Sequence, residues 1–97
     1  MSPELEVLDQ LCGGDLSLSV VLRIFGGPAV PALYERAARA VAIQVQNGEV
    51  LLMIRSERGT SPLQGRHIQE VLADQTSWSQ GSPYSLSITE KGSKLMT

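Results

Sequence analysis

This sequence predicts an α+β fold, in which three N-terminal helices precede a β-ribbon with a long, partly helical insert. Three observations carry that prediction. Apolar residues recur at helical spacing, with recognisable start and stop signals, three times before residue 48. Asn47-Gly48 then reverses the chain into the apolar run Glu49–Arg55, and Tyr84–Ile88 alternates apolar and polar like a half-buried strand. Between these strands, residues 56–83 are punctuated by Gly, Ser and Pro and hold one further helical pattern.

The first helix is expected over residues 3–12. Ser2 can cap it, Pro3 suits its first position, and Glu4 and Glu6 sit at the positive end of its dipole. Leu5, Leu8, Leu11 and Cys12 form its apolar side, and Gly13-Gly14 supplies a stop. Leu16–Phe25 satisfies two patterns. Leu16, Leu18, Val20, Leu22 and Ile24 alternate as in a strand, while Leu18, Val21, Leu22 and Phe25 share one helical face. The flanking residues favour helix, with Asp15 as N-cap and Gly26-Gly27 as stop. The third helix, residues 31–47, begins at Pro31, with Pro28–Val30 as the connection before it. Leu33, Tyr34, Ala37, Ala38, Val41 and Val45 form its apolar stripe, opposite Glu35, Arg36, Arg39 and Gln46.

Strands are expected at about 50–55 and 84–88. Ser56–Arg66 reads as a loop, and Ile68, Val71 and Leu72 suggest a short helix over about 66–76, with Trp78 packed against it. Thr89, Glu90 and Lys91 open a terminal helical turn that Gly92 weakens. Val50–Ile54 is continuously apolar, so its outer face needs cover, either from the insert through Ile68, Leu72 and Trp78 or from a second subunit.

Ninety-seven residues suit one domain, burying roughly two-thirds of the unfolded chain's surface. One cysteine allows no internal disulfide, so a reduced, cytoplasmic setting is expected. No Lys or Arg precedes Arg23, so no secretory leader is expected, and no apolar run approaches the roughly 20 residues of a membrane span. The net charge of −2 is unevenly placed. Glu4, Glu6, Asp9 and Asp15 precede any base, whereas all six arginines lie within residues 23–66. An anionic partner would have to meet the middle of the chain.

Asp15–Gly27 (D-L-S-L-S-V-V-L-R-I-F-G-G) followed by Pro31–Val50 (P-A-L-Y-E-R-A-A-R-A-V-A-I-Q-V-Q-N-G-E-V) resembles the winged helix-turn-helix of prokaryotic transcription regulators. Tyr84–Met96 (Y-S-L-S-I-T-E-K-G-S-K-L-M) is similar to the aromatic-x-Leu-Thr-x-x-Gly-x-x-Leu ending of MarR- and PadR-type members, with Leu86 where the aromatic usually stands. The resemblance implies a DNA-binding regulator, with the third helix in the major groove and the ribbon along the backbone. A homodimer would double the contacts, and the same fold also serves protein partners without DNA.

If the third helix reads DNA, Arg36 and Arg39, one turn apart, are its candidate contacts with phosphate or guanine. Glu35 could accept from cytosine N4 or pair with Arg39. These charges also suit a merely solvated face. Arg55, Arg58 and Arg66 frame the loop after the first strand and are candidate phosphate contacts, although charges on an edge also prevent aggregation. Nothing points to an enzyme or a cofactor. Cys12 and His67 form only a formal dyad, one His and one Cys make no zinc site, and no serine stands in a G-x-S-x-G context.

Overall fold

The computed structural model describes residues 2–27 and 31–96, and these form a mixed α+β fold. Helix α1 spans Pro3–Leu11, with Ser2 Oγ accepting from the Leu5 N–H at 3.3 Å as its cap. Leu16–Ser17 is a two-residue strand, β1, and Leu18–Ile24 is helix α2. The helical pattern therefore holds for Leu18–Ile24, and the strand is confined to Leu16–Ser17. Leu16 and Ser17 pair with Leu86 and Ser85, and the chain then coils so that Leu18, Val21, Leu22 and Phe25 are buried. Asp15 precedes the strand and cannot cap the helix; Ser17 holds the N-cap position, its side chain accepting no capping bond from the helix backbone.

Gly26 closes α2 with φ +97°. Its N–H donates to the Arg23 carbonyl and that of Gly27 to the Leu22 carbonyl, the two bonds of a Schellman stop. The connection expected at Pro28–Val30 lies outside the described residues. Helix α3 spans Pro31–Gln46 and ends the same way, Gly48 N–H donating to the Val45 carbonyl and Glu49 N–H to the Gln44 carbonyl.

Strand β2 (Val50–Ser56) follows, then β3 (Gly59–Pro62), helix α4 (Arg66–Ala73), a 3-10 turn at Gln75–Trp78, strand β4 (Tyr84–Ile88) and helix α5 (Glu90–Lys94). The four strands form one antiparallel sheet in the order β1-β4-β2-β3. The loop expected at Ser56–Arg66 is thus a hairpin for half its length. Ser56 Oγ donates to the Gly59 carbonyl at 3.2 Å, and β3 pairs with β2 from Ser56↔Gly59 to Met53↔Pro62. Gly59 and Pro62 bound a strand at the sheet edge, and just past Pro62 the Leu63 N–H still donates to the Leu52 carbonyl at 2.8 Å.

The inner face of the sheet supplies Val50, Leu52 and Leu86 to a core shared with Val7, Leu8 and Leu11 of α1, Leu18, Val21 and Leu22 of α2, and Ala37 and Val41 of α3. The insert joins this same core. Helix α4 packs on α3 and the 3-10 turn on α2, burying Leu72 and Trp78, whose Nε1–H donates to the Leu72 carbonyl at 3.0 Å. Asp74 fixes the turn by accepting from the Thr76 hydroxyl at 2.7 Å and the Thr76 N–H at 2.9 Å. These bonds hold the Asp74 carboxyl below the usual carboxylate range. The expected cover of the outer sheet face is not what the insert provides. Leu51 stays 42% exposed there, because Leu72 and Trp78 are occupied on the helical side.

Gly92 does not weaken the terminal helix so much as permit its docking. It is buried, and a Cβ at that position would overlap the Glu49 carbonyl oxygen. Thr89 completes the contact. Its hydroxyl donates to the carbonyls of Gly48 and Glu49, its N–H donates to the Glu49 carbonyl, and its Oγ1 accepts from the Gly92 N–H. The Thr-x-x-Gly spacing therefore clasps the Asn47-Gly48 turn from 40 residues away.

Candidate nucleic-acid interface

Helix α3 turns Ala37, Val41 and Gln44 to the core and leaves Glu35, Arg36, Arg39 and Ile43 exposed. The face is set by packing at both flanks. On one side the buried Gln44 Nε2 donates to the Glu4 carbonyl at 3.1 Å and ties α3 to the start of α1. On the other, Tyr34 and Ala38 meet α4 and the 3-10 turn.

Two concavities of about 260 and 480 Å³ border this face. The first lies toward α1 and is lined by Glu4, Glu35, Arg36 and Arg39 among others; the second lies toward α4 and shares Glu35 and Arg39. Glu35 and Arg39 thus form a ridge between two grooves. Neither Arg36 nor Arg39 makes an ion pair among the described residues, so the alternative of a Glu35–Arg39 pair is not realised. Arg36 lies 5.9 Å above the centroid of the nearly buried Phe25 ring, a cation–π contact that draws its guanidinium toward the end of α2.

The other candidate arginines stand on different elements. Arg55 is near the end of β2, opposite Thr60 of β3, and Arg58 is in the tight turn between them. Arg66 opens α4. All three are exposed. The six candidates therefore fall into a helical group of Glu35, Arg36 and Arg39, a hairpin group of Arg55 and Arg58, and Arg66 apart from both.

A third concavity, of about 320 Å³, has no signal in the sequence. It opens at the hairpin end of the sheet and is lined by Arg55 together with Ser17, Thr60, Ser82 and Ser85. The serines of β4 and β1 read in sequence as polar strand faces. Only the pairing of β1 with β4 and of β3 with β2 gathers them beside Arg55.

Cys12 and His67 are both exposed, His67 Nδ1 lying 3.9 Å from Glu70. The expectation that Cys12 shares the buried side of α1 is corrected: that face is Val7, Leu8 and Leu11, and Cys12, still helical in backbone as the C-cap, falls with the 46% exposed Leu5 outside it. Among the described residues no helix is long and apolar enough to cross a membrane. Comparisons with protein-family models, with curated proteins and with solved structures returned no match.

Proposed function

We propose that this chain is a small DNA-binding protein, a transcription regulator of winged helix-turn-helix type that reads the major groove with α3. The observation that carries this reading is the outer face of α3, where Arg36 and Arg39 stand exposed one turn apart with no ion pair among the described residues. A guanidinium in that position can grip phosphate or the O6/N7 edge of guanine with two hydrogen bonds. Arg55 and Arg58, on the projecting β2–β3 hairpin, are suited to phosphates, and Arg66 is a further phosphate candidate on α4. Three helices ahead of a directly paired β2–β4 ribbon also suit the reading.

Titration onto a mixed-sequence duplex at low and moderate salt tests it. The expected result is salt-dependent binding that weakens by about 1–3 kcal/mol when a base-contacting Arg36 or Arg39 becomes Ala. Loss of a phosphate contact should lower the salt slope by about 0.9. Absence of binding at high micromolar protein and low salt overturns it.

A second reading, a winged-helix module for protein contact alone, is favoured by a different observation. Leu5, Ile43 and Leu95 are 46, 51 and 54% exposed and converge on one concavity of about 300 Å³. Its occupant in this reading is a second copy. Glu4 and Glu49 line the concavity and Arg36 and Arg39 adjoin it on α3, so a two-fold arrangement can set acid against base. Sedimentation of the wild-type protein and of Ile43→Asp tests this: a dimer that the substitution dissociates, without duplex binding, selects the second reading.

A further inference from the structure

Strand register determines what stands beside what on the outer face of the sheet. Directly opposed residues of an antiparallel pair project to the same side, with Cβ atoms about 4.5–5.5 Å apart. Arg55 is opposed by Thr60 on β3, and on the other side the Arg55 N–H donates to the Pro83 carbonyl at 2.9 Å. One row away, Ser85 of β4 is opposed by Ser17 of β1 and by Met53 of β2. Arg55, Thr60, Ser85 and Ser17 line the cleft of about 320 Å³, and no carboxylate does. The α3 concavities differ in this respect, since Glu35 lines both of them.

The hydrogen-bond capacity of the cleft points the same way. The side chains of Thr60, Ser85 and Arg55 bond to none of the described residues. Ser17 Oγ lies 3.0 Å from Ser19 Oγ and keeps a free O–H whenever Ser19 is the donor. Ser82 has committed its proton to the Ser77 carbonyl at 2.6 Å and so fixes the rim. What remains along the cleft is a guanidinium with several N–H donors, with the Thr60 hydroxyl on one side and the Ser85 hydroxyl on the other, without a competing anion. That donor set fits a tetrahedral oxyanion.

We infer that the cleft formed by Arg55, Thr60, Ser85 and Ser17 on the outer sheet face binds a phosphoryl group. Arg55 supplies the charge, Thr60 beside it and Ser85 on the adjacent strand supply hydroxyl donors, and Ser17, one strand further, lies at the far end of the cleft. The inference stands on the cleft alone and does not need α3 to read DNA. The phosphoryl group can belong to a nucleic-acid backbone or to a free phosphorylated compound, and the experiment separates these sources.

The test is titration of the full chain with inorganic phosphate at constant ionic strength, with chloride as the control ion, following backbone amide resonances. Saturable shifts confined to residues 17, 53–62 and 81–86 are expected. Affinity should fall about tenfold or more in Arg55→Gln, as loss of a charge-assisted hydrogen bond implies, and by a smaller factor in the double variant Thr60→Val, Ser85→Ala. Absence of saturable shifts, equal shifts with chloride, or unchanged affinity in Arg55→Gln overturns the proposal. Displacement of phosphate from these amides by a duplex identifies the backbone as the source. Displacement by phenyl phosphate but not by duplex identifies a free monoester. Because duplex binding through Arg36 and Arg39 is read by a separate titration, failure of one site to bind leaves the other site standing.

Discussion

The two ends of β2 are built on opposite terms. At its start, Gly48 and Glu49 are held by the Thr89 hydroxyl and N–H, and Gly92 packs so closely on the Glu49 carbonyl that a side chain has no room. At its end, Arg55 and Ser56 pair with the exposed Thr60 and Gly59, and the side chains of Arg55 and Thr60 bond to nothing within the described chain. The first end closes the fold by bringing the C-terminal helix onto the turn after α3. The second presents charge and hydroxyls outward, and that surface can be altered without loosening the core.

That contrast breaks most visibly at Gly92. Gly92→Ala forces a methyl group into the Glu49 carbonyl and should destabilise the protein by about 3 kcal/mol, the upper part of the range for overpacking. A change below about 0.5 kcal/mol in urea unfolding, no more than an ordinary surface substitution gives, would mean that α5 is not docked as described. Thr89→Val is expected to cost less, about 1–2 kcal/mol, because it removes a helix cap and the hydroxyl bonds across the turn while leaving the N–H bond to Glu49. At the other end, Arg55→Gln combined with Thr60→Val should leave stability within about 0.5 kcal/mol of the wild type, since both residues are exposed. The same pair of substitutions should abolish phosphate-dependent amide shifts at the cleft. A destabilisation comparable to that of Gly92→Ala would show that the hairpin is structural and remove the distinction between the ends.

Local signals located most of the elements, and the misreadings have identifiable physical causes. The β4 span, Tyr84–Ile88, is legible from alternation alone, and α1 and α3 from caps, apolar spacing and glycine stops. Leu16–Phe25 fits two periodicities, but only Leu16 and Ser17 pair with β4 before the helix begins, and only the partner strand decides where the pairing stops. Ser56–Pro62 looks like a loop because an edge strand exposed along its whole length needs no apolar face. Drawing the apolar side of α1 through Leu5 rather than Val7 puts Cys12 on the wrong side, since the core takes Val7, Leu8 and Leu11. Of the candidate contacts, the grouping of Glu35, Arg36 and Arg39 follows from helical spacing. The cleft neighbours of Arg55 do not, since Ser17 and Ser85 share its cleft only through the order of the strands.

Residue chemistry and spacing by themselves determined an α+β chain whose positive charge is concentrated in its middle, with arginines one turn apart on the polar face of its third helix. Those properties are local: a helix face follows from a 3.6-residue period and a strand face from a period of 2. Tertiary structure alone decided that the insert joins the helical side of the core, that Gly92 is a docking point rather than a weakness, and that hydroxyls from three segments line one cleft with Arg55. Each of these depends on contacts between residues far apart in the chain, and no local period encodes which distant segment supplies the partner.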